Sequence, residues 1–185
     1  GDATRLSYLT TEVEGEPLTI GRECAHSYRF EEDLTIDMGA PVLEALTVSG
    51  SGDARVTGIT GDSFEARVSG SGRLDVSGEA GRLDAHVSGS GDVRLDFVAR
   101  ELAFSISGSG DFRGSGRADR LEASISGSGD MDLARLEVRE ARLRISGSGD
   151  MQVHVTDHLD VQVSGSGDVS YRGRPTIEKR IRGSG

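Results

Sequence analysis

Alternate residues from Leu83 to Phe97 separate without exception into a nonpolar set (Leu83, Ala85, Val87, Gly89, Gly91, Val93, Leu95, Phe97) and a polar set (Asp84, His86, Ser88, Ser90, Asp92, Arg94, Asp96). The same division runs from Leu121 to Leu133 and from Leu159 to Tyr171. A period of two held this long predicts extended strand with one side buried. A flexible Gly/Ser linker, the other reading of such composition, would not keep phase.

The tetrapeptide SGSG begins at Ser49, Ser69, Ser88, Ser107, Ser126, Ser146 and Ser164, in steps of 20, 19, 19, 19, 20 and 18 residues. A degenerate copy, Arg182-Gly183-Ser184-Gly185, follows 18 residues later. Self-similarity at this period points to a repeat architecture whose units bury their apolar faces on one another. Each block places two glycines on the nonpolar parity: Gly50 and Gly52, Gly70 and Gly72, Gly89 and Gly91, Gly108 and Gly110, Gly127 and Gly129, Gly147 and Gly149, Gly165 and Gly167. Its serines and the following Asp take the polar parity, so the chain crosses the block without exchanging faces. These glycines are predicted to form a structural corner, turned inward where a bend leaves no room for a Cβ. The serines and Asp turn outward, toward turn backbone or water. Between the strands, Thr57 to Ser63, Ser77 to Arg82, Val98 to Glu101, Ser115 to Arg120, Ala134 to Glu140 and Thr156 to His158 vary in length and sequence and are expected to be surface loops.

Two architectures accommodate strand, corner, strand, loop: an antiparallel meander with SGSG hairpins, and a solenoid in which each unit is one coil. Hairpin turns tolerate varied sequence, whereas stacked corners set like residues directly above one another and penalise any misfit. The near-identical corners favour an all-β parallel β-helix, a right-handed β-solenoid with coils of about 18–20 residues. It is expected to be a single domain over 1–185, with irregular N-terminal coils or a cap in 1–45, SGSGD repeats in 46–171 and a C-terminal end in 172–185.

Composition narrows the classes further. The 185 residues suit one domain with a real core. Hydrophobic residues make up 35% and only eight are aromatic, so the core is expected to rest on Val, Leu, Ile and Ala. A net charge of −10 excludes nucleic acid and anionic membrane surfaces, both of which require clustered cations. Cys24 is the single cysteine, so no intrachain disulfide forms. No apolar run has the length of a membrane span, and the start at Gly1 carries no signal-peptide pattern, as is also true of a mature chain.

Candidate chemistry is sparse. The outward Asp row, Asp53, Asp92, Asp111, Asp130, Asp150 and Asp168, would repel itself unless hydrogen-bonded, solvated or bridged by a cation. A calcium ladder through Asp92, Asp111, Asp130, Asp150 and Asp168 is the sharper reading. Calcium-binding nonapeptide repeats use G-G-x-G-x-D at half this period, and Arg73 interrupts the row, so solvated, turn-capping carboxylates are preferred and no metal is expected. Cys24 and His26 lie one residue apart, a spacing that lets a thiol and an imidazole share a strand face. No oxyanion-hole pattern accompanies them. His154 and His158 have the spacing that binds zinc on a helix, but they read as strand and loop. Glu31, Glu32 and Asp33 read as a solvated charge run, and short coils with tight corners offer no cleft for a carboxylate pair of the glycosidase kind. No catalytic residue and no cofactor is expected.

The segment PVLEALTVSGSGDARV (Pro41 to Val56), the recurring SGSGD and the ending VSYRGRPTIEKRIRGSG resemble the head GIN domain family of auto-transporter adhesins. TEVEGEPLTI (Thr11 to Ile20) is similar to the strand that precedes the repeats in that family. The resemblance covers about Thr11 to Gly185. It implies a parallel β-helix found in bacterial proteins with export or lipoprotein signals, and no established activity or catalytic motif. It also implies a further strand segment ahead of Arg5, so the chain is expected to start inside the family domain. Arg73 departs from the SGSGD pattern.

On this basis the expected function is a non-catalytic, adhesin-like or structural binding module of a bacterial envelope, in a periplasmic, outer-membrane-associated or extracellular location. Its expected partners are a glycan, a cell-wall polymer or an envelope protein, with no nucleic acid and no membrane span. The alternatives are a self-assembling, bactofilin-like scaffold and, more remotely, a polysaccharide-acting enzyme. Pro175, Lys179, Arg180 and Arg182 near the C-terminal end discourage edge pairing, so a monomer or small homo-oligomer is expected rather than a filament.

Overall fold

The computed structural model describes residues 9–13, 18–22 and 43–185, which fall into two compact units, 1–39 and 40–185. In the first, β1 (Leu9–Val13) and β2 (Leu18–Arg22) pair antiparallel, with Thr11 opposite Ile20. Cys24, His26, Glu31, Glu32 and Asp33 lie outside the described residues.

The second unit holds β3 (Ala45–Gly50), β4 (Ala54–Gly70), β5 (Arg73–Gly89), β6 (Asp92–Gly108), β7 (Phe112–Gly127), β8 (Met131–Gly147), β9 (Met151–Gly165), β10 (Val169–Arg172) and β11 (Thr176–Gly183). They pair in chain order, always parallel, and β10 and β11 both lie on β9. Ser69, Ser88, Ser107, Ser126, Ser146 and Ser164 form one continuous column, so each repeat sits on the next by its own sequence equivalent. This is a β-solenoid of about seven turns, and parallel pairing excludes the meander.

The variable segments are not loops. They lie inside β4 to β9 and are paired with their neighbours across most of their length, except at Thr156 and Asp157, where only His158 of the segment has ladder partners. Coils of equal length, as in β5 on β6, stack without a shift in register. A coil that differs by one residue takes up the difference in a bulge between Val56 and Ile59 or between Arg113 and Ser115. The 20-residue and 18-residue coils of β8 and β9 need two such irregularities, at Leu133/Glu137 and Val138/Glu140. The unit carries its insertions as bulges because an unpaired loop would leave amides and carbonyls of both neighbouring coils without partners.

Inside, apolar side chains stack in columns such as Val68, Val87, Ile106, Ile125, Ile145 and Val163, and no polar or charged residue among those described is buried. The aromatic share of the core exceeds the compositional expectation: Phe64, Phe97, Phe104 and Phe112 are all buried. Two of these rings are matched by small neighbours. Phe104 stands between Ala85 and Ala123, and Phe97 between Gly78 and Gly116. The rings of Phe104 and Phe112 meet with centroids 4.3 Å apart. Phe112 stands instead between Val93 and Met131, so with coils about 4.8 Å apart a ring is held wherever the facing side chains leave its volume free.

The nonpolar parity is buried through β9 and changes in the last coil. Tyr171, Ile177 and Ile181 are 49%, 39% and 45% exposed, although Ile177 continues the column of Leu159 and Ile181 that of Val163. Their described ladder partner lies on one side only.

Candidate functional site

Three parts of the coil surface carry the polar side chains: the SGSGD corner, the face leading to it and the face leaving it. At the corner the two glycines of each block do different work. The first adopts positive φ, +145° at Gly127, and a Cβ there would overlap the carbonyl oxygen of Gly108. The second has no positive φ and is buried in every block but the first, where Gly52 is exposed; a Cβ on Gly149 would overlap the carbonyl of Gly129 and stand 3.0 Å from Cγ2 of Ile125. The second serine donates its backbone N–H to the first glycine of the coil below, as in Ser128 to Gly108 and Ser148 to Gly127, both at 2.9 Å. The degenerate eighth block behaves alike, with Ser184 donating to Gly165 at 2.9 Å.

The Asp row is placed where expected and has a defined partner. Oδ1 of Asp130 accepts the backbone N–H of Asp150, and Oδ1 of Asp150 that of Asp168, each at 2.8 Å; Asp111 receives Asp130 at 3.4 Å. Asp111, Asp130 and Asp150 therefore each accept a peptide N–H of the next coil, which offsets the repulsion within the row. Arg73 keeps the same rule through its backbone, donating to Asp53 at 2.8 Å, while its guanidinium lies 3.6 Å from Asp92.

On the face leading into the corner, Arg82, Glu101, Arg120 and Glu140 occupy one column with alternating charge. Successive pairs are 3.2, 3.7 and 3.5 Å apart. Arg82 also grips Asp84 with two 2.8 Å hydrogen bonds, and Asp84, with a further contribution from Glu101, raises the guanidinium above its ordinary basicity. Arg144 bonds Glu122 at 2.7 Å, Arg142 lies 3.6 Å from Asp160, and Arg67 pairs with Glu65. This face is largely neutralised by its own side chains.

The face leaving the corner is arranged otherwise. Arg55, Asp75, Arg94, Arg113 and Asp132 form one column, and Ser77, Asp96, Ser115 and Arg135 the column beside it. Together they line a cleft of about 560 Å³ that ends near the bulges at Val56/Ile59 and Arg113/Ser115. Arg55 binds Asp75 at 3.0 Å, Ser115 donates to Asp96 at 3.2 Å, and Arg113 reaches Asp111 at 3.3 Å. Arg94 and Arg135 form no ion pair with a described residue. Oδ1 of Asp75 is buried and accepts no hydrogen bond among the described residues. The cleft thus sets four arginines against three aspartates, a surplus of one guanidinium, with one carboxylate oxygen unsatisfied.

This cleft is not among the sites expected from the sequence, although the sequence carries a signal for it. Aligned on the block Asp, the residue two positions on reads Arg55, Asp75, Arg94, Arg113, Asp132, Gln152 and Ser170. His154 and His158 both lie in β9, opposite Glu137 and Glu140, so the expected loop at 156–158 is strand. Among the described residues no three His, Cys, Asp or Glu side chains are grouped as a metal ion would require. No described helix is long and apolar enough to cross a membrane.

Comparison with curated proteins returns no match. Solved structures resemble the chain over its full length. A protein described as a "putative adhesin" from Parabacteroides merdae is 25% identical with a TM-score of 0.93, and 78% of that chain is covered. A second "putative adhesin", from Parabacteroides distasonis, is 28% identical with a TM-score of 0.86 and 79% covered. A "putative lipid binding protein" from the same organism is 29% identical with a TM-score of 0.81 and 79% covered. The model of one family matches residues 1–96 and again 77–175, and the chain belongs to that family, described as "putative auto-transporter adhesin, head GIN domain".

Proposed function

We propose that this chain is a non-catalytic binding module of the bacterial cell envelope, adhesin-like, working in an extracytoplasmic location. The observation that carries the reading is the outward surface of the solenoid. An unbroken parallel ladder holds columns of charged side chains in register, and one face gathers them around a cleft. Such a surface contacts a repeating or extended partner at several coils at once, without moving parts. Family membership and two adhesin-named structural neighbours support a module whose work is attachment rather than turnover. Fold alone does not specify a ligand.

The test is a glycan and envelope-polymer array combined with a size measurement in solution. Binding to at least one surface polymer by a particle of one to a few copies is the expected result. Absence of binding to every glycan, polymer and envelope extract would remove the reading. Concentration-dependent growth into long polymers would favour the scaffold alternative. The lipid-binding name of one neighbour adds vesicles to the array.

A further inference from the structure

We infer that the cleft lined by Arg94, Arg113 and Arg135 is a subsite for a carboxylate-bearing polysaccharide, a glycan containing uronic-acid units. The inference rests on the binding-module reading and adds the ligand class and the place. Three observations carry it.

First, Arg94 and Arg113 are adjacent in one column, like charges on neighbouring coils about 4.8 Å apart, where cross-strand pairing of like charges is unfavourable. The comparable column on the other face, Arg82 to Glu140, alternates without exception. Arg135 lies in the neighbouring column of the same cleft and likewise has no described counter-ion. Arg94 and Arg135, without described ion-pair partners, together with Arg113, which shares its guanidinium with Asp111 at 3.3 Å, offer donors that match carboxylate oxygens two at a time.

Second, the buried Oδ1 of Asp75 has no donor. The same carboxylate lines the cleft with 22% of its side chain exposed and is fixed by Arg55 at 3.0 Å, so a ligand hydroxyl entering the cleft can donate to its accessible edge. An anionic group for the arginines and a hydroxyl for Asp75, side by side, is the functional-group pattern of a uronic-acid unit.

Third, no aromatic side chain lines the cleft. Neutral sugars are commonly gripped by stacking on such rings, which this cleft does not offer. In a chain of net charge −10, a local excess of guanidinium is effective at short range because physiological salt screens the rest beyond about 8 Å. The groups along the cleft follow the solenoid axis, so an extended polymer would meet successive coils with successive units.

The probe is an oligogalacturonate, measured by calorimetric titration against its fully methyl-esterified form, inorganic phosphate and vesicles of phosphatidylglycerol. The expected result is binding of the free acid and not of the ester, weakened about 10-fold by Arg94→Gln and about 100-fold by Arg94→Gln with Arg113→Gln. Arg120→Gln on the opposite face is the control for folding and for general charge, and should leave the affinity unchanged. Equal binding of acid and ester, equal loss in Arg120→Gln, no binding of the acid, or binding of phosphate or vesicles alone would each overturn the inference. If the polymer array shows binding that the cleft variants do not affect, the binding-module reading stands and this inference falls. If the array shows none, both fall.

Discussion

On the face carrying Arg82, Glu101, Arg120 and Glu140 each coil presents the charge opposite to that of the coil below, while on the face carrying Arg94 and Arg113 two successive coils present the same charge. Both faces belong to the same ladder, with the same coil spacing. The difference lies in what the charges answer to. On the first face every guanidinium of the column has a carboxylate within 4 Å, so its charge is balanced from within, although Oδ1 of Asp160 beside it is buried without a described donor. On the second, Arg94 and Arg135 lack a described counter-ion and, although Arg55 holds Oδ2 of Asp75, its Oδ1 lacks a described donor, so the arrangement leaves cations open to a partner. In a solenoid, register makes charge patterning unusually legible, because a residue's neighbours on the surface are its sequence equivalents.

Four measurements would break or sharpen this contrast. The largest effect belongs to the corner that joins the two faces. Gly149→Ala forces a Cβ onto the carbonyl of Gly129 and against Ile125, and neither can withdraw without displacing a coil. A loss of at least about 3 kcal/mol in urea denaturation is expected. Gly52→Ala meets nothing within 4 Å and should stay within about 0.5 kcal/mol of the parent. Equal losses at the two sites would show that stacking is not what requires the second glycine.

The two faces should then respond with opposite sign to the same change. Arg120→Gln removes the cation between Glu101 and Glu140 and is expected to cost roughly 0.5 kcal/mol. Arg94→Gln relieves a like-charge neighbour and should be neutral or stabilising by a few tenths of a kcal/mol. The readout is the urea midpoint at constant slope, and the difference should shrink in 1 M salt, where screening acts within about 3 Å. A loss at Arg94 equal to that at Arg120 would abolish the contrast.

At the corner, Asp130→Ala removes the acceptor of the Asp150 N–H, with an expected cost of about 0.5–1.5 kcal/mol. The same titration that tests binding can include calcium. Heat and a raised melting temperature on adding calcium, both lost in Asp130→Ala, would show that the row holds a cation in place of its amide bonds.

The smallest effect concerns acid. Asp157 has a lowered pKa because Thr156 donates to its carboxylate and, next, because Arg139 does. A folded-state pKa below the unfolded value stabilises above the ordinary carboxylate range and is lost as pH falls through the folded value. Asp157→Asn should therefore lower stability at neutral pH slightly and flatten its decline below about pH 4. An unaltered acid limb would remove Asp157 from the account.

The corner is legible in the amino-acid order because its constraint is local and repeated. The parity of Gly127 and Gly129 already places both glycines inward, and the two faces of Leu83 to Phe97 are those observed. The segments between strands are not legible in this way. Thr57 to Ser63 and Ala134 to Glu140 read as loops because their sequences vary, yet each is paired to the coils beside it. Sequence variation records the freedom of outward side chains, whereas pairing is decided by backbone groups that every residue carries. The aromatic core escapes composition for a related reason. Phe104 fits between Ala85 and Ala123, and those flanks lie 19 residues away in each direction.

The cleft shows the division most clearly. Period, parity and the glycine blocks are sufficient for an all-β chain coiled in units of 18 to 20 residues, since each depends on spacing along one strand and its corner. Which coil bulges at Arg113, whether Arg94 meets Glu or Arg, and whether Oδ1 of Asp75 finds a donor depend on the register between coils. That register comes from the summed hydrogen bonds and packing of whole turns, and only the assembled solenoid supplies it.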